Sequence, residues 1–357
     1  MPLTGPAANL GKDNTDGFQL AIDTVAKGAI NGRRVQMIAQ DDQAQAAVLL
    51  PKAQQLVEQE RVSMLAGANF SSECAALATN SAQALIPTAG TGNCGAMSLR
   101  IDPKLKSPWF ARLTQTGTGL WGPLADYAYA TGSRKVAIIS IETINESMDA
   151  FAAAFVKRGG QIVQEIYNPI GTNDFGPYLT KLDTSADSIL LGETGIDGLR
   201  FMQTYSQYVP SDKKIRIFDS VGAASYGPNL AQLKGQAVGV IAEDHYGFNA
   251  VDNPENRTFT QAWNQKYPDR PISQDAAQGY ATAEIILAAV QKVTGNVEDK
   301  QTFMNALLAT RALPTVRGPV SLDDQHDIVQ NTYIYTVVQD GNSYTQKLLK
   351  TYDQIGG

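Results

Sequence analysis

A chain of 357 residues with 43% apolar and 18% charged side chains has an ordinary globular composition. It exceeds what one compact core usually holds, so two lobes of roughly 150 to 180 residues are expected. Its 29 basic and 35 acidic side chains leave a net charge of -6 with no run of Lys or Arg, which excludes the electrostatic footprint of a nucleic-acid binder.

No stretch approaches the roughly 18 consecutive apolar residues of a membrane span, and the opening Met1-Pro2-Leu3-Thr4-Gly5 does not read as a signal peptide. The two cysteines, Cys74 and Cys94, are too few for a metal cluster and lack CxxC spacing. One disulfide is the preferred reading and two buried thiols the alternative.

In chain order, helical periodicity alternates with short apolar runs, the pattern of parallel sheets with crossover helices. Phe18, Ala21, Ile22 and Val25 share one helical face, and Ala46, Leu49, Leu50, Ala53, Leu56 and Val57 share the next. The runs at 35–39, 62–66 and 85–87 have strand length and the apolar continuity of strands covered on both faces. A second series begins near residue 115, with strands expected at 136–139, 162–163, 188–191 and 215–218. Two helices follow from about 252, around Phe259 and Trp263 and along Tyr280, Ala283, Leu287 and Val290. Residues 332–338 and 343–351, around Gln339-Asp340-Gly341-Asn342, read as an antiparallel hairpin. The helices of 252–310 have no strands of their own and must pack on an earlier sheet.

Several local sequences resemble one family. Pro2-Leu3-Thr4-Gly5-Pro6-Ala7 with Gly11 resembles the opening loop of leucine/isoleucine/valine-binding proteins, and Ile30-Asn31-Gly32-Arg33-Arg34-Val35 with Asp41-Asp42-Gln43 resembles their next helix-to-strand passage. Gly67-Ala68-Asn69-Phe70-Ser71-Ser72, Thr172-Asn173-Asp174-Phe175 and Arg317-Gly318-Pro319-Val320 continue the series in order, over nearly the whole chain.

The resemblance implies an α/β fold of the type I periplasmic binding class: two doubly wound parallel-sheet lobes joined by three hinge crossovers near 114–118, 243–248 and 325–330. One lobe would hold 1–116 and 246–326, the other 117–245 and 327–357. It also implies an extracytoplasmic, monomeric receptor that delivers a small ligand from the cleft between lobes to the permease of an ABC importer, with no cofactor, metal or catalysis. The family has a strand just before the Pro-Leu-Thr-Gly loop, preceded by an export signal. A start placed inside a longer reading frame is therefore expected, with that first strand lying upstream.

In open parallel sheets ligands bind beyond the carboxyl ends of strands, where helix N-termini attract anions. Asn69-Phe70-Ser71-Ser72-Glu73 is the richest such passage, although a Ser at a helix start is also a common plain cap. The resemblance gives the Ser71 hydroxyl and the Ser72 N–H to a ligand carboxylate, and Ala89, Gly90 and Thr91 to a second carboxylate loop in Thr88-Ala89-Gly90-Thr91-Gly92-Asn93. Read without it, that loop is a turn, since it has neither GxGxxG nor a Walker lysine.

The second lobe departs from the amino-acid receptors. Val221 stands where they place the acid that meets the ligand ammonium. Asp219, on the same strand face as Val221, substitutes only if the backbone bends. Glu193-Thr194 and Asn145 replace expected tyrosines. An aromatic or branched carboxylate without an ammonium is thus favoured, with Phe70, Tyr246 and Phe248 near the mouth. A hydrophobic amino acid is the close second, with Glu193 as the cation partner.

An enzyme is disfavoured: His245 and His326 are the only histidines, and HExxH, GxSxG and CxxC are absent. Asp323, Asp324 and His326 read as a solvated turn rather than a metal site. A cytoplasmic sensor on the same fold is the main rival. A repressor is disfavoured because no helix-turn-helix precedes the first lobe.

Overall fold

The structure is a computed structural model describing residues 1–114, 116–209, 215–225, 227–247, 249 and 251–356. It divides into two compact units. Unit 1 comprises Met1–Thr116 and Val251–Asn331 with Gly356, and unit 2 comprises Gly117–Ala250 and Thr332–Ile355.

Unit 1 opens with α1 (Ala8–Thr24), a two-residue-stranded ribbon of β1 (Ala29–Ile30) and β2 (Arg33–Arg34), and α2 (Ala46–Glu58). Then β3 (Leu65–Gly67), α3 (Ser71–Ala84), β4 (Thr88–Gly90), α4 (Ser98–Ile101) and β5 (Phe110–Arg112) follow. The strands β3, β4 and β5 pair in parallel, with Ala66 opposite Ala89 and Ala89 opposite Ala111.

Unit 2 continues with α5 (Gly117–Ala130), β6 (Lys135–Ile141), α6 (Asn145–Lys157), β7 (Gln161–Asn168), α7 (Gly176–Leu179) and β8 (Ser188–Gly192). It goes on through α8 (Gly195–Tyr208), β9 (Arg216–Asp219), α9 (Gly227–Leu233) and β10 (Ile241–Asp244). Its parallel strands lie in the order β10-β9-β8-β6-β7. Ile139, Ile189, Leu191 and Ile217 bury their side chains with Phe175, Phe201, Met202 and Leu230 from the covering helices.

The chain returns to unit 1 through α10 (Pro254–Lys266), α11 (Gln274–Lys292), α12 (Lys300–Leu308) and the antiparallel pair β11 (Leu313–Thr315) and β12 (Gly318–Leu322). Each helix start is capped by a side chain: Asn253 accepts from the Asn256 N–H, Ser273 from Ala276 and Asp299 from Thr302. Helices α1 and α11 cross at backbone contact. A Cβ on Gly17 would lie 1.9 Å from the Ala276 carbonyl oxygen, and one on Gly279 would lie 1.9 Å from that of Asn14. Only glycine allows so close an approach.

Two boundaries differ from the sequence expectation by about five residues. Tyr246 belongs to unit 2, because the break falls at 250/251 rather than 245/246. The last break falls at 331/332 rather than 326/327 because β13 (Ile328–Asp340) first pairs with β12, Val329 opposite Ser321, and only later with β10, Tyr333 opposite Asp244. β14 (Ser343–Ile355) pairs with β13, making a longer hairpin than 332–338 and 343–351.

Residues 35–40 belong to no strand, and the strand expected at 85–87 begins instead at Thr88. Leu85 is in the left-handed conformation that ends α3, φ 49°, and Pro87 has no N–H for a ladder. Val25 and Leu50, expected on buried faces, are exposed. Val25 sits at the C-cap of α1, past the last helical turn.

Candidate functional site

Each unit gathers the carboxyl ends of its parallel strands on one edge, and each edge carries its own polar apparatus.

In unit 1, β3 passes into α3 through Ala68, Asn69 and Phe70, with Ala68 in the left-handed region, φ 71°. Glu73 turns back on this passage: its Oε2 accepts the N–H groups of Asn69 and Phe70, each at 3.1 Å. As the first residues of α3, Ser71 and Ser72 have N–H groups with no intrahelical acceptor, at the positive end of the helix dipole. Burial, with Asp42 nearby, pushes the Glu73 carboxyl up to about 7, so a full negative charge does not sit beside those donors at neutral pH.

The Ser71 hydroxyl is already engaged inside the unit, accepting from the Ala96 N–H at 3.0 Å and donating to the Asn93 carbonyl at 3.4 Å. It therefore ties the loop after β4 to α3, and the amides are left as the outward donors. Ser72 is exposed and Phe70 is buried. Ala89 and Gly90 lie within β4 and are buried rather than forming a loop. Thr91 is buried too, its N–H bonded to the Gly67 carbonyl at 3.0 Å and its hydroxyl facing the Met1 sulfur at 3.6 Å. Gly92 must be glycine, since a Cβ there would lie 2.5 Å from both the Ala68 oxygen and the Asn69 Cα.

Two further ties hold this loop. Cys74 of α3 and Cys94 are joined by a disulfide, Cα–Cα 5.8 Å. Arg112 at the end of β5 donates to the carbonyls of Cys94 at 3.0 Å and Ala96 at 3.3 Å. With a sequence separation of 20, the disulfide is expected to contribute roughly 3 kcal/mol in the chain-entropy model. Reduction should then lower the melting temperature of unit 1 by about 5 to 10 °C in calorimetry. An unchanged transition would show that the bond adds no stability.

In unit 2, Asn145 begins α6 and is exposed, its Oδ1 accepting from the Glu146 N–H. Thr194 is the N-cap of α8 and is half-buried. Val221 is half-buried, whereas Tyr246 is 1% exposed. Phe248 lies outside the described residues.

Asp219 corrects the sequence expectation, because its carboxylate is consumed by the turn that follows it. It accepts from the N–H groups of Gly222, Ala223, Ala224 and Ser225 at 2.7 to 3.0 Å and from the Ser225 hydroxyl at 2.9 Å. No lone pair is left for a ligand ammonium. Strand alternation does not register a side chain that folds onto its own loop.

Glu193 is fully buried just past β8, and burial pushes its carboxyl well above the usual range. Its Oε2 accepts from the Asn168 amide at 3.5 Å and its Oε1 has no partner among the described residues. Glu243 of β10 went unnoticed in the sequence. It is 1% exposed, neither carboxylate oxygen has a described partner, and burial followed by Asp244 and Asp219 raises its pKa. A charged residue inside the apolar strand Ile241-Ala242-Glu243-Asp244 was the available signal. The edge thus holds two buried carboxyls whose charged forms burial disfavours.

A family model described as periplasmic binding protein matches residues 1–342. The Leu/Ile/Val-binding protein homolog 6 of Brucella melitensis is 29% identical over 377 aligned positions, covering 99% of this chain and 90% of the relative. Among solved structures, an ABC transporter substrate-binding protein from Sphaerobacter thermophilus is 29% identical with a TM-score of 0.90, covering 99% of this chain and 96% of that one. A solute-binding protein of an ABC transporter from Rhodopseudomonas palustris, solved with 3,4-dihydroxybenzoic acid, has the same fold at 24% identity and TM-score 0.89, covering 99% and 96%.

Proposed function

The chain belongs to the periplasmic binding protein family, whose members are solute receptors and not enzymes, and from that premise we propose that it delivers a small carboxylate to the permease of an ABC importer, as an extracytoplasmic monomer. One observation carries the ligand class. The N–H groups of Ser71 and Ser72 open the N-terminus of a 14-residue helix, beside a loop fixed by the disulfide and by Arg112. Prefixed donors of this kind favour a carboxylate.

In unit 2, Val221 is apolar and Asp219 is consumed, which favours an aromatic or branched carboxylate without an ammonium. A buried ammonium facing Val221 would lose hydration without a counter-charge, several kcal/mol of loss. The Rhodopseudomonas protein's dihydroxybenzoic acid is a ligand of this class. A hydrophobic amino acid is the second reading, favoured by the unpartnered Oε1 of Glu193.

Paired calorimetric titrations test both. Benzoate, 3-phenylpropanoate and 4-methylpentanoate are set against phenylalanine and leucine, with the neutral amides as controls. Carboxylates are expected to bind at least as tightly as the amino acids, and the amides at least about tenfold more weakly. Ser71→Ala, which loosens the loop and its donors, should weaken the best carboxylate roughly tenfold. Equal binding of acid and amide would overturn the carboxylate reading. Tight amino-acid binding that Glu193→Gln abolishes would replace the first reading by the second.

A further inference from the structure

The parallel sheet of unit 2 has a second edge, at the amino ends of its strands, where Ser188 opens β8, Arg216 opens β9 and Ile241 opens β10. A cavity of about 590 Å³ lies there, a volume ordinary for small-molecule sites. Asp187 on its border and Glu193 past the other end of β8 are separated by the length of that strand, roughly 20 Å. The cavity is therefore distinct from the apparatus at the carboxyl edge.

Its inner wall is apolar, formed by Met202 of α8 with Ile215, Ile217 and Val240. No side chain fills the space. Gly132 and Gly239 border it with φ of 106° and 87°, and a Cβ on either would meet nothing within 4 Å. Val238, on the same border, is 47% exposed. An apolar body seated here would take Val238 and the inner wall out of water.

The border also carries a cation with an open face. Arg216 is held by Nη1, which donates to the Thr131 carbonyl at 3.0 Å and to the hydroxyls of Thr131 and Ser133, each at 3.3 Å. Its guanidinium carbon stands 5.9 Å from the centre of the Phe218 ring. Nε and Nη2 have no hydrogen-bond or ion-pair partner among the described residues. Those two nitrogens form the side of the fork that donates two parallel bonds to a carboxylate, the side with which Arg112 holds Asp327. Asp187, the acid on the same border, is already occupied. Its Oδ2 accepts from the N–H groups of Arg134 and Lys135 at 2.8 and 2.9 Å, and its Oδ1 accepts from the Ser188 hydroxyl at 2.7 Å. The unmatched charge is positive, and it is fixed in place before a ligand arrives.

We propose that this cavity is a second solute site, taking a small carboxylate whose apolar body lies against Met202, Ile215 and Val240 and whose charge is gripped by Nε and Nη2 of Arg216. The inference rests on the amino edge of unit 2 alone, so it and the reading of the carboxyl edge stand or fall separately.

Methyl NMR on protein labelled at isoleucine and methionine tests it, with 4-phenylbutanoate, 4-phenylbutanamide and 4-phenylbutylamine as probes. The methyls of Met202, Ile215 and Ile217 report on the cavity, and those of Ile144 and Met148 report on the start of α6 at the other edge. The acid should move the cavity signals with a Kd of about 1 mM or tighter. The amide should act at least about tenfold more weakly, and the amine should leave the signals in place. Arg216→Gln should weaken the acid at least about tenfold. Ser206→Phe, which fills the cavity from α8 at a half-buried position, should abolish the cavity response. In both variants any response of Ile144 and Met148 to the acid should be that of the parent. Arg216 is exposed, so Arg216→Gln keeps the fold and decides the matter alone if Ser206→Phe unfolds. Cavity signals that the acid does not saturate, or that acid and amide move equally, would overturn the proposal. A response that survives Arg216→Gln undiminished overturns it as well, since the shift would then come from elsewhere in the protein.

Discussion

Replacing Arg112 by methionine is expected to destabilise unit 1 by about 3 to 5 kcal/mol, because it breaks a buried ion pair from one side. The guanidinium is 2% exposed and meets Asp327 in two bonds, Nε to Oδ1 and Nη2 to Oδ2, each at 2.5 Å. Its remaining amine holds the carbonyls of Cys94 and Ala96. Methionine fills similar space but leaves Asp327 with Arg100 at 2.6 Å as its cationic partner and leaves both carbonyls without this donor. In a unit of this size the loss corresponds to a fall in melting temperature of about 8 to 15 °C, measurable by calorimetry. The double change Arg112→Met with Asp327→Leu should recover most of it, since neither charge is then left buried alone. A single-variant loss under about 1 kcal/mol would mean that water reaches the pair. Because the same side chain holds the loop that Ser71 ties down, ligand affinity should fall with stability in Arg112→Met.

Stability is expected to decline as pH rises from about 5 to 8, with Glu284 one of the buried carboxyls responsible. This residue of α11 is buried, accepts the Val316 N–H at 2.9 Å, and has its carboxyl pushed up to about 8 by burial. Unfolded, it titrates near 4.5. Between those values the folded state binds the proton and the unfolded state does not, so the stabilisation is fully present below about 4.5 and is lost as pH passes through 8. The loss for this group is on the order of 4 kcal/mol at pH 9. Glu73, at about 7, adds a smaller change of the same sign. Glu284→Gln keeps an acceptor for the Val316 N–H and carries no charge. Urea unfolding at pH 5, 7 and 9 should show the variant losing less stability with rising pH than the parent and exceeding it at pH 9 by a few kcal/mol. Identical pH dependence in the two proteins would show that Glu284 ionises in contact with water.

How much of this the sequence disclosed depends on the kind of information required. The strands of unit 2 were legible because residues 136–139 and 189–191 are continuous apolar runs, and a strand covered on both faces needs little else. The run at 35–39 has the same composition yet is bonded into no strand, because a strand is a ladder and composition does not supply the neighbour. β4 was displaced by three residues because Leu85 and Pro87, apolar by type, serve as a helix terminator and a residue without a donor. In the candidate site, the helix start at Ser71 was visible as a pattern. The engagement of its hydroxyl by Ala96 was not, since it joins residues 25 apart that only the fold brings together. Asp219 misled for a related reason: its alternation on the strand is regular, and its five bonds go to its own loop.

Those five bonds also bear on the thermodynamics of recognition. The backbone from Gly222 to Ser225 is held by one buried carboxylate before any solute arrives, so association at that edge need not order this segment. On the proposed reading, the entropic penalty of binding would be correspondingly smaller there, and selectivity among solutes would rest on shape and desolvation against a rigid wall instead of on induced folding.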